Sequence, residues 1–118
     1  MKKVLATILF FVSLSASAES WVHVGATGSG NNYYVDKHSL IYGQQGVVGG
    51  WIYTANSNGT YEYARYEAHC PTLMFRVPAL TTYYSNGQVL DSISMNTWEY
   101  AMPRSIAMGT IKTMCNKK

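Results

Sequence analysis

Three histidines are the residues of this chain best suited to act as a general base or as metal ligands. His23, His38 and His69 are separated by 15 and 31 residues, and these spacings match no helical zinc motif. His23 and His69 fall in predicted strands and could meet across a sheet, but a solvated surface histidine is the favoured interpretation of each. A metal site would also need neighbouring carboxylates, and the sequence places none beside them. We therefore predict no metal and no other cofactor.

Carboxylates and hydroxyls also form no recognisable catalytic arrangement. Glu62 and Glu67 are five positions apart in a predicted strand, so they point to opposite faces and do not form a glycosidase-type pair. No Gly-x-Ser-x-Gly motif is present. The glycine-rich stretch 25–30 lacks the Lys-Ser/Thr ending of a phosphate loop, so a turn is the better interpretation. These observations predict that the chain is not an enzyme.

Cys70 and Cys115 are the two cysteines of the chain. In an oxidising compartment two cysteines most simply form one disulfide, whereas a structural zinc site needs four ligands at close spacing. The bridge would close a loop of about 46 residues and contribute roughly 4 kcal/mol in the chain-entropy description. Because an oxidised pair holds no thiolate, the cysteines would provide no nucleophile.

Aromatic residues are the remaining feature that bears on function. The chain holds ten tyrosines and three tryptophans, and tyrosine combines an apolar body with a polar tip that suits partner surfaces. We expect most of four large aromatics to build the core: Trp21, Trp51, Tyr66 and Trp98. We expect Tyr61 and Tyr63 to share the polar face of their strand with Arg65, and these three residues form the candidate binding surface.

The positions of these residues depend on a chain that is mostly β in pattern. Six strands are expected, over residues 21–27, 32–36, 46–55, 61–70, 73–84 and 89–95. Pro78 predicts a bend or bulge in the fifth of them, and Asn86-Gly87 is typical of a hairpin turn. In the fourth strand the even-numbered positions are more apolar, which predicts that they face the core and bring Cys70 inward.

The C-terminal segment changes to a helical pattern. Four residues recur at i, i+4, i+7 and i+8 on one helical face: Ala107, Ile111, Met114 and Cys115. Ser105 is suited to the N-cap, whereas Gly109 weakens the helix by about 1 kcal/mol. A helix of about ten residues needs docking, which a Cys70–Cys115 disulfide would supply. The predicted fold is α+β and mostly β: an antiparallel sheet of about six strands with one C-terminal helix tethered by a disulfide.

Residues 1–18 have the pattern of a secretory signal peptide. Lys2 and Lys3 precede a short apolar run, and small residues at 16–18 end it. Since about 20 apolar residues are needed to cross a bilayer, we expect cleavage after residue 18 and no membrane anchor afterwards. Residues 19–118 then form one domain, because this length is too short for two.

The charge of the processed chain excludes further classes of protein. Charged residues make up 13% of the sequence, about half the usual share. Loss of Lys2 and Lys3 leaves seven basic and six acidic residues, a net charge of +1. Such a balance does not attract nucleic acid or acidic lipid over a distance. We therefore predict no nucleic-acid partner.

Several motifs follow one another in a distinctive order along the chain. They are residues 21–25, the Tyr-Tyr-Val-Asp-Lys-His-Ser-Leu stretch 33–40, residues 47–51, a tyrosine-rich strand ending in Cys70, residues 82–89, Trp98, residues 103–105 and a short helix closing on Cys115. Their order resembles the bacterial surface-adhesin protein E-like family over nearly all of residues 19–118. The Tyr-Tyr-Val-Asp element and the paired cysteines are the most specific parts of this resemblance.

The resemblance implies an antiparallel sheet with a disulfide-pinned C-terminal helix. It also implies an envelope protein that binds host extracellular-matrix or serum proteins such as laminin and vitronectin, which are partners of the best-known adhesin of the family. Only the two cysteines carry over residue by residue, namely Cys70 and Cys115. That adhesin is lipid-anchored, whereas the residue directly after the predicted cleavage point here is Glu19 and not a cysteine.

Two expectations for function and location follow from these observations. The first is an exported, non-enzymatic binding domain with a protein partner. The alternative is a soluble periplasmic accessory or structural protein of the cell envelope with no adhesive role. The periplasm is the expected location, with the cell surface or secretion as alternatives, and the oligomeric state is left open.

Overall fold

The computed structural model describes residues 20–116, and within them it shows the predicted fold class. The elements are β1 (Trp21–Ala26), β2 (Asn32–Asp36), β3 (Ile41–Tyr42), β4 (Val47–Ala55), β5 (Tyr61–His69), β6 (Met74–Tyr83), β7 (Val89–Tyr100) and the helix α1 (Ile106–Cys115). The sheet is antiparallel, and α1 is linked to it by a disulfide. The predicted signal peptide, residues 1–18, lies outside the described residues.

The described strands belong to one sheet in the order β1-β2-β4-β5-β6-β7. The short β3 was not predicted. It pairs with the first half of β4, along the same edge where β2 pairs with the second half. A 3-10 turn at Lys37–Ser39 separates β2 from β3. There the Ser39 hydroxyl donates to the Asp36 carbonyl and accepts from the Trp51 amide at 2.9 Å. This satisfies the β4 backbone between its pairings with β3 and with β2.

β7 is the one predicted strand whose length was wrong. It was expected to end at residue 95 but continues to Tyr100, whereas the other predicted strand ends agree with the structure to within one residue. Met95 pairs with Val77 and Glu99 pairs with Phe75, so four steps along β7 oppose two steps along β6. This bulge lets pairing with β6 resume beyond the polar residues 96–97.

The predicted irregularity near Pro78 is confirmed. Arg65 of β5 pairs with Ala79 and Glu67 pairs with Arg76, so one extra residue of β6 lies between these two pairs. Proline has no amide hydrogen to donate to the ladder, which is why it occupies the bulge.

The core lies between one face of the sheet and α1. Its buried apolar residues are mostly small and aliphatic: Val35, Val48, Ile52, Ala64, Ala68, Val77, Ala101, Ile111 and Met114. Ala64 and Ala68 occupy even-numbered positions of β5, so the predicted core face of that strand is confirmed. Ile111 and Met114 are fully buried, which confirms the apolar face predicted for the helix.

Two local features determine how α1 begins and how closely it lies on the sheet. The Ser105 hydroxyl accepts a hydrogen bond from the Met108 amide at 3.1 Å, so the predicted N-cap is confirmed. A Cβ atom at Gly109 would lie 3.1 Å from Cγ1 of Val24. Glycine at this position, although unfavourable for the helix itself, therefore permits close packing against β1.

The Cys70–Cys115 disulfide ties the end of α1 to the end of β5. The two Cα atoms are 5.9 Å apart, and both cysteines pack against the core. The predicted pairing is therefore confirmed, and it is compatible with an exported protein because disulfides persist in oxidising compartments. Among residues 20–116 no helix has the length and apolar character needed to cross a membrane.

The expectation that most of the four large aromatics belong to the core was wrong. Trp51 is 40% exposed and lies on the face of the sheet opposite α1, and Trp21 and Trp98 lie on that same face. Of the four predicted core aromatics, Tyr66 alone packs against the core. In β4, strict alternation sends Ile52 toward α1 and Trp51 away from it.

Candidate functional site

The sheet face opposite α1 carries a cluster of aromatic side chains. Directly opposed residues of antiparallel strands share a face, and the register places Tyr34 beside Tyr53 and Tyr53 beside Tyr63. Tyr61 likewise lies beside Tyr83. With a tryptophan from β1, these residues form what we call the aromatic patch: Trp21, Tyr34, Tyr53, Tyr61, Tyr63 and Tyr83.

The rings of the aromatic patch contact one another across five strands. Tyr53 is at the centre, with ring centroids 5.6 Å from Trp21, 5.8 Å from Tyr34 and 5.2 Å from Tyr63. Tyr61 stacks on a tyrosine of β6 with the centroids 5.1 Å apart. Such pairs contribute about 0.5–1.5 kcal/mol each beyond their buried area. The contacts therefore fix the rings relative to one another.

A shallow pocket of about 340 Å³ opens in this patch, lined by Trp21, Tyr34, Tyr53, Ala55 and Tyr63. Tyr63 stays 38% exposed at its rim. Partial burial raises the pKa of Tyr63 above its ordinary value, and the neighbouring tyrosines make a smaller contribution in the same direction. Its hydroxyl can donate or accept a hydrogen bond. The pocket offers apolar ring surface with hydroxyl groups at the ring tips.

Arg65 lies beside the aromatic patch on the same face of β5. A Cβ atom at Gly49 would come within 2.8 Å of Nη2 of Arg65, so the guanidinium lies over the bare glycine backbone. Trp51 is its cross-strand neighbour on β4. Among the described residues Arg65 takes part in no ion pair. The structure therefore places the three predicted binding residues, Tyr61, Tyr63 and Arg65, along one face of one strand.

A polar region follows on the same face beyond Arg65. Nε of Arg76 donates to Oε1 of Glu67 at 2.6 Å, and the guanidinium carbon lies 4.7 Å from the ring centroid of Trp98. His69 shares a 2.6 Å hydrogen bond between Nδ1 and the Thr72 hydroxyl. A second shallow pocket of about 360 Å³ is lined here by Gln45, Val47, His69, Met74 and Trp98.

The residues first considered for catalysis do not come together. His23 is on β1 and His69 ends β5, with β2 and β4 between them. Nε2 of His23 is 2.9 Å from Oδ1 of Asn32. Glu62 and Glu67 lie on opposite faces of β5, as predicted from their spacing. Within residues 20–116 no group of three or more His, Cys, Asp or Glu residues is arranged to hold a metal ion.

The sequence analysis missed four members of the aromatic patch. Tyr34, Tyr53 and Tyr83 were not assigned to a surface, and Trp21 was assigned to the core. The missed signal was the alternation along β4, where Tyr53 falls on the side opposite the buried Ile52. The register of the sheet then places the residues paired with Tyr53 on neighbouring strands on this same face.

Comparisons of this chain with protein-family models, with curated proteins and with solved structures find no match.

Proposed function

We propose that this chain is an exported, non-enzymatic binding domain that recognises a protein partner through the aromatic patch. The observation that carries the proposal is a sheet face with six contacting aromatic rings that α1 leaves uncovered, four of which line a shallow pocket. Exposed aromatic clusters of this kind are typical of interaction sites, and tyrosine and tryptophan are enriched among the residues that dominate binding energies.

Arg65 supports a protein partner because it adds a cation at the edge of an otherwise uncharged aromatic surface. A guanidinium can pair with a carboxylate or stack on an aromatic ring of the partner. Its cross-strand neighbour Trp51 is 40% exposed, which extends the apolar surface around it. Aromatic residues together with arginine are the composition that distinguishes protein interfaces from the remaining surface.

The partners proposed are host extracellular-matrix or serum proteins, with laminin and vitronectin as the first to test. This part rests on the resemblance of the motif order to the surface-adhesin protein E-like family, which includes Cys70 and Cys115. The disulfide that joins these cysteines is compatible with export. The proposed location is outside the cytoplasm, either at the cell surface or in the periplasm.

The binding test uses immobilised laminin and vitronectin with residues 19–118 as the soluble ligand. We expect Tyr63→Ala to weaken binding by about 30-fold, since central interface tyrosines contribute about 2 kcal/mol or more. Tyr84→Ala is the matched control, because Tyr84 is 46% exposed in the β6–β7 turn, outside the aromatic patch. Equal effects of the two substitutions would show that the aromatic patch is not the binding surface. If the wild-type domain binds neither laminin nor vitronectin, the proposal of these matrix partners is refuted.

The location is tested by protease digestion of intact cells and of cells whose outer membrane has been opened. A periplasmic marker protein reports leakage. Digestion on intact cells is expected for a domain that binds host proteins. Protection until the outer membrane is opened would instead favour the alternative function, an accessory protein of the envelope with no adhesive role.

A further inference from the structure

The outer edge of β7 is a long strand edge that no other described strand covers. β7 is twelve residues long and pairs with β6 on one side, while its other side meets no strand within residues 20–116. The opposite edge of the sheet, β1, has six residues, carries a bulge and contacts α1. Proteins usually blunt an exposed edge with lysine, proline, a short strand or a bulge. β7 has no lysine or proline and is twelve residues long, and its bulges, near residue 90 and at residues 96–98, leave the stretch 91–95 regular.

Apolar side chains on β7 are exposed toward the side of the sheet on which α1 lies. Ile93 pairs with Leu80 and Met95 pairs with Val77, and both β6 residues belong to or pack against the core. Ile93 and Met95 should therefore be covered, yet they are 43% and 45% exposed. The helix packs mainly on β1, β2 and β4, so the layer above the sheet stops short of this edge.

Two carboxylates frame these apolar residues on the same side of β7. Asp91 pairs with Thr82 and Glu99 pairs with Phe75, so both carboxylates point toward the helix side. The single ion pair of the described residues joins Glu67 to Arg76, which leaves the two β7 carboxylates without a cation. β7 itself contains no Lys, Arg or His. Along the chain this edge therefore presents one acidic residue, two apolar residues and a second acidic residue beyond the bulge.

We propose that β7 takes up an extended segment of a partner protein as an additional antiparallel strand. The segment would carry apolar residues opposite Ile93 and Met95 and a Lys or Arg near Asp91 and near Glu99. The backbone groups of the edge would supply hydrogen bonds, and alternate side chains would supply specificity. A second copy of this chain fits less well, because pairing two β7 edges brings four carboxylates and no cation together.

The binding test uses two blocked nine-residue peptides, acetyl-KTVTVTVTK-amide and acetyl-ETVTVTVTE-amide, against residues 19–118. Both present three valines on one face, and they differ in the charge at each end. We expect the lysine peptide to bind about tenfold more tightly than the glutamate peptide, since opposite charges across strands stabilise pairing and like charges oppose it. The double variant Asp91→Asn and Glu99→Gln should bind both peptides with similar affinity, because it removes exposed charges without changing side-chain size.

Methylated peptides test whether the peptide joins the sheet. In an added strand every second amide points toward β7, so N-methylation of one alternate set should abolish binding while methylation of the other set should preserve it. Equal effects of the two sets would overturn strand addition. The proposal would also be overturned if the chain dimerises, its β7 amides are protected from hydrogen exchange and neither peptide binds. This result would show that a second copy of the chain occupies the edge.

Discussion

The Cys70–Cys115 disulfide should account for a large share of the stability of the domain. The two cysteines are 45 residues apart in sequence, and a loop of this length corresponds to about 4 kcal/mol in the chain-entropy description. Small domains are stabilised by about 5–15 kcal/mol in total. The double variant Cys70→Ala and Cys115→Ala removes the bridge without leaving a free thiol, so its loss of stability can be compared with this figure.

Equilibrium urea unfolding, followed by far-ultraviolet circular dichroism, gives the free energy of unfolding of both proteins. We expect the double variant to lose about 4 kcal/mol and its thermal midpoint to fall by about 15–30 °C. Its dependence on urea should become steeper, because the unfolded chain is no longer held in a loop and exposes more surface. Wild-type protein in reducing buffer should behave like the variant.

Hydrogen exchange then shows where the stability was lost. Ile111 and Met114 of α1 are fully buried, so the helix retains apolar contacts when the bridge is absent. We expect the α1 amides to lose protection before those of β4 and β5, because the bridge holds the C-terminal end of the helix. The matched control Ile111→Ala, with the disulfide intact, should cost about 2–5 kcal/mol by creating a cavity. A double cysteine variant that loses less than about 1 kcal/mol would refute the tethering argument.

Three further changes have expected outcomes that the structure supplies. Burial raises the pKa of Tyr66 from 10.0 to about 12, with smaller contributions from Tyr33 and Glu62, so the free energy of unfolding should fall by at most about 3 kcal/mol as the pH rises from 10 toward 12. Urea unfolding should show a smaller alkaline loss of stability in Tyr66→Phe than in the wild type. Equal losses in the two proteins would show that Tyr66 is not the group responsible. Gly49→Ala should displace Arg65 and weaken laminin or vitronectin binding at nearly unchanged thermal midpoint, whereas Gly28→Ala, with open space at its Cβ, should leave binding intact. Ser105→Ala removes the N-cap of α1 and should cost about 1 kcal/mol in urea unfolding; an unchanged midpoint would show that the cap is not needed.

Features that depend on neighbouring residues, or on a single pairing, were predictable from the sequence. The hairpin turn at Asn86-Gly87 requires a positive φ at glycine, and Gly87 has a φ of 93°. The N-cap at Ser105 follows from the hydrogen-bonding needs of a helix start. Two cysteines allow a single intramolecular disulfide, so the link between Cys70 and Cys115 followed from their number.

The composition of the binding face was decided by tertiary structure. In β4, Val48 and Ile52 alternate with Trp51 and Tyr53, so both faces of this strand are apolar. A period of two separates the faces but does not tell which one a helix will cover. Close packing of α1, which Gly109 permits against β1, favours the face with the smaller side chains.

The length and exposure of β7 were likewise decided by its surroundings. Its pairing beyond residue 95 depends on a bulge that accommodates β6, and a pattern of alternation along β7 alone does not reveal such a shift. The exposure of Ile93 and Met95 follows from where α1 ends over the sheet. Local sequence therefore determined the strands, turns, helix cap and disulfide, because these depend on neighbours along the chain or on one pairing. The tertiary structure decided which apolar surfaces remain open, because burial depends on what the whole chain places above each face.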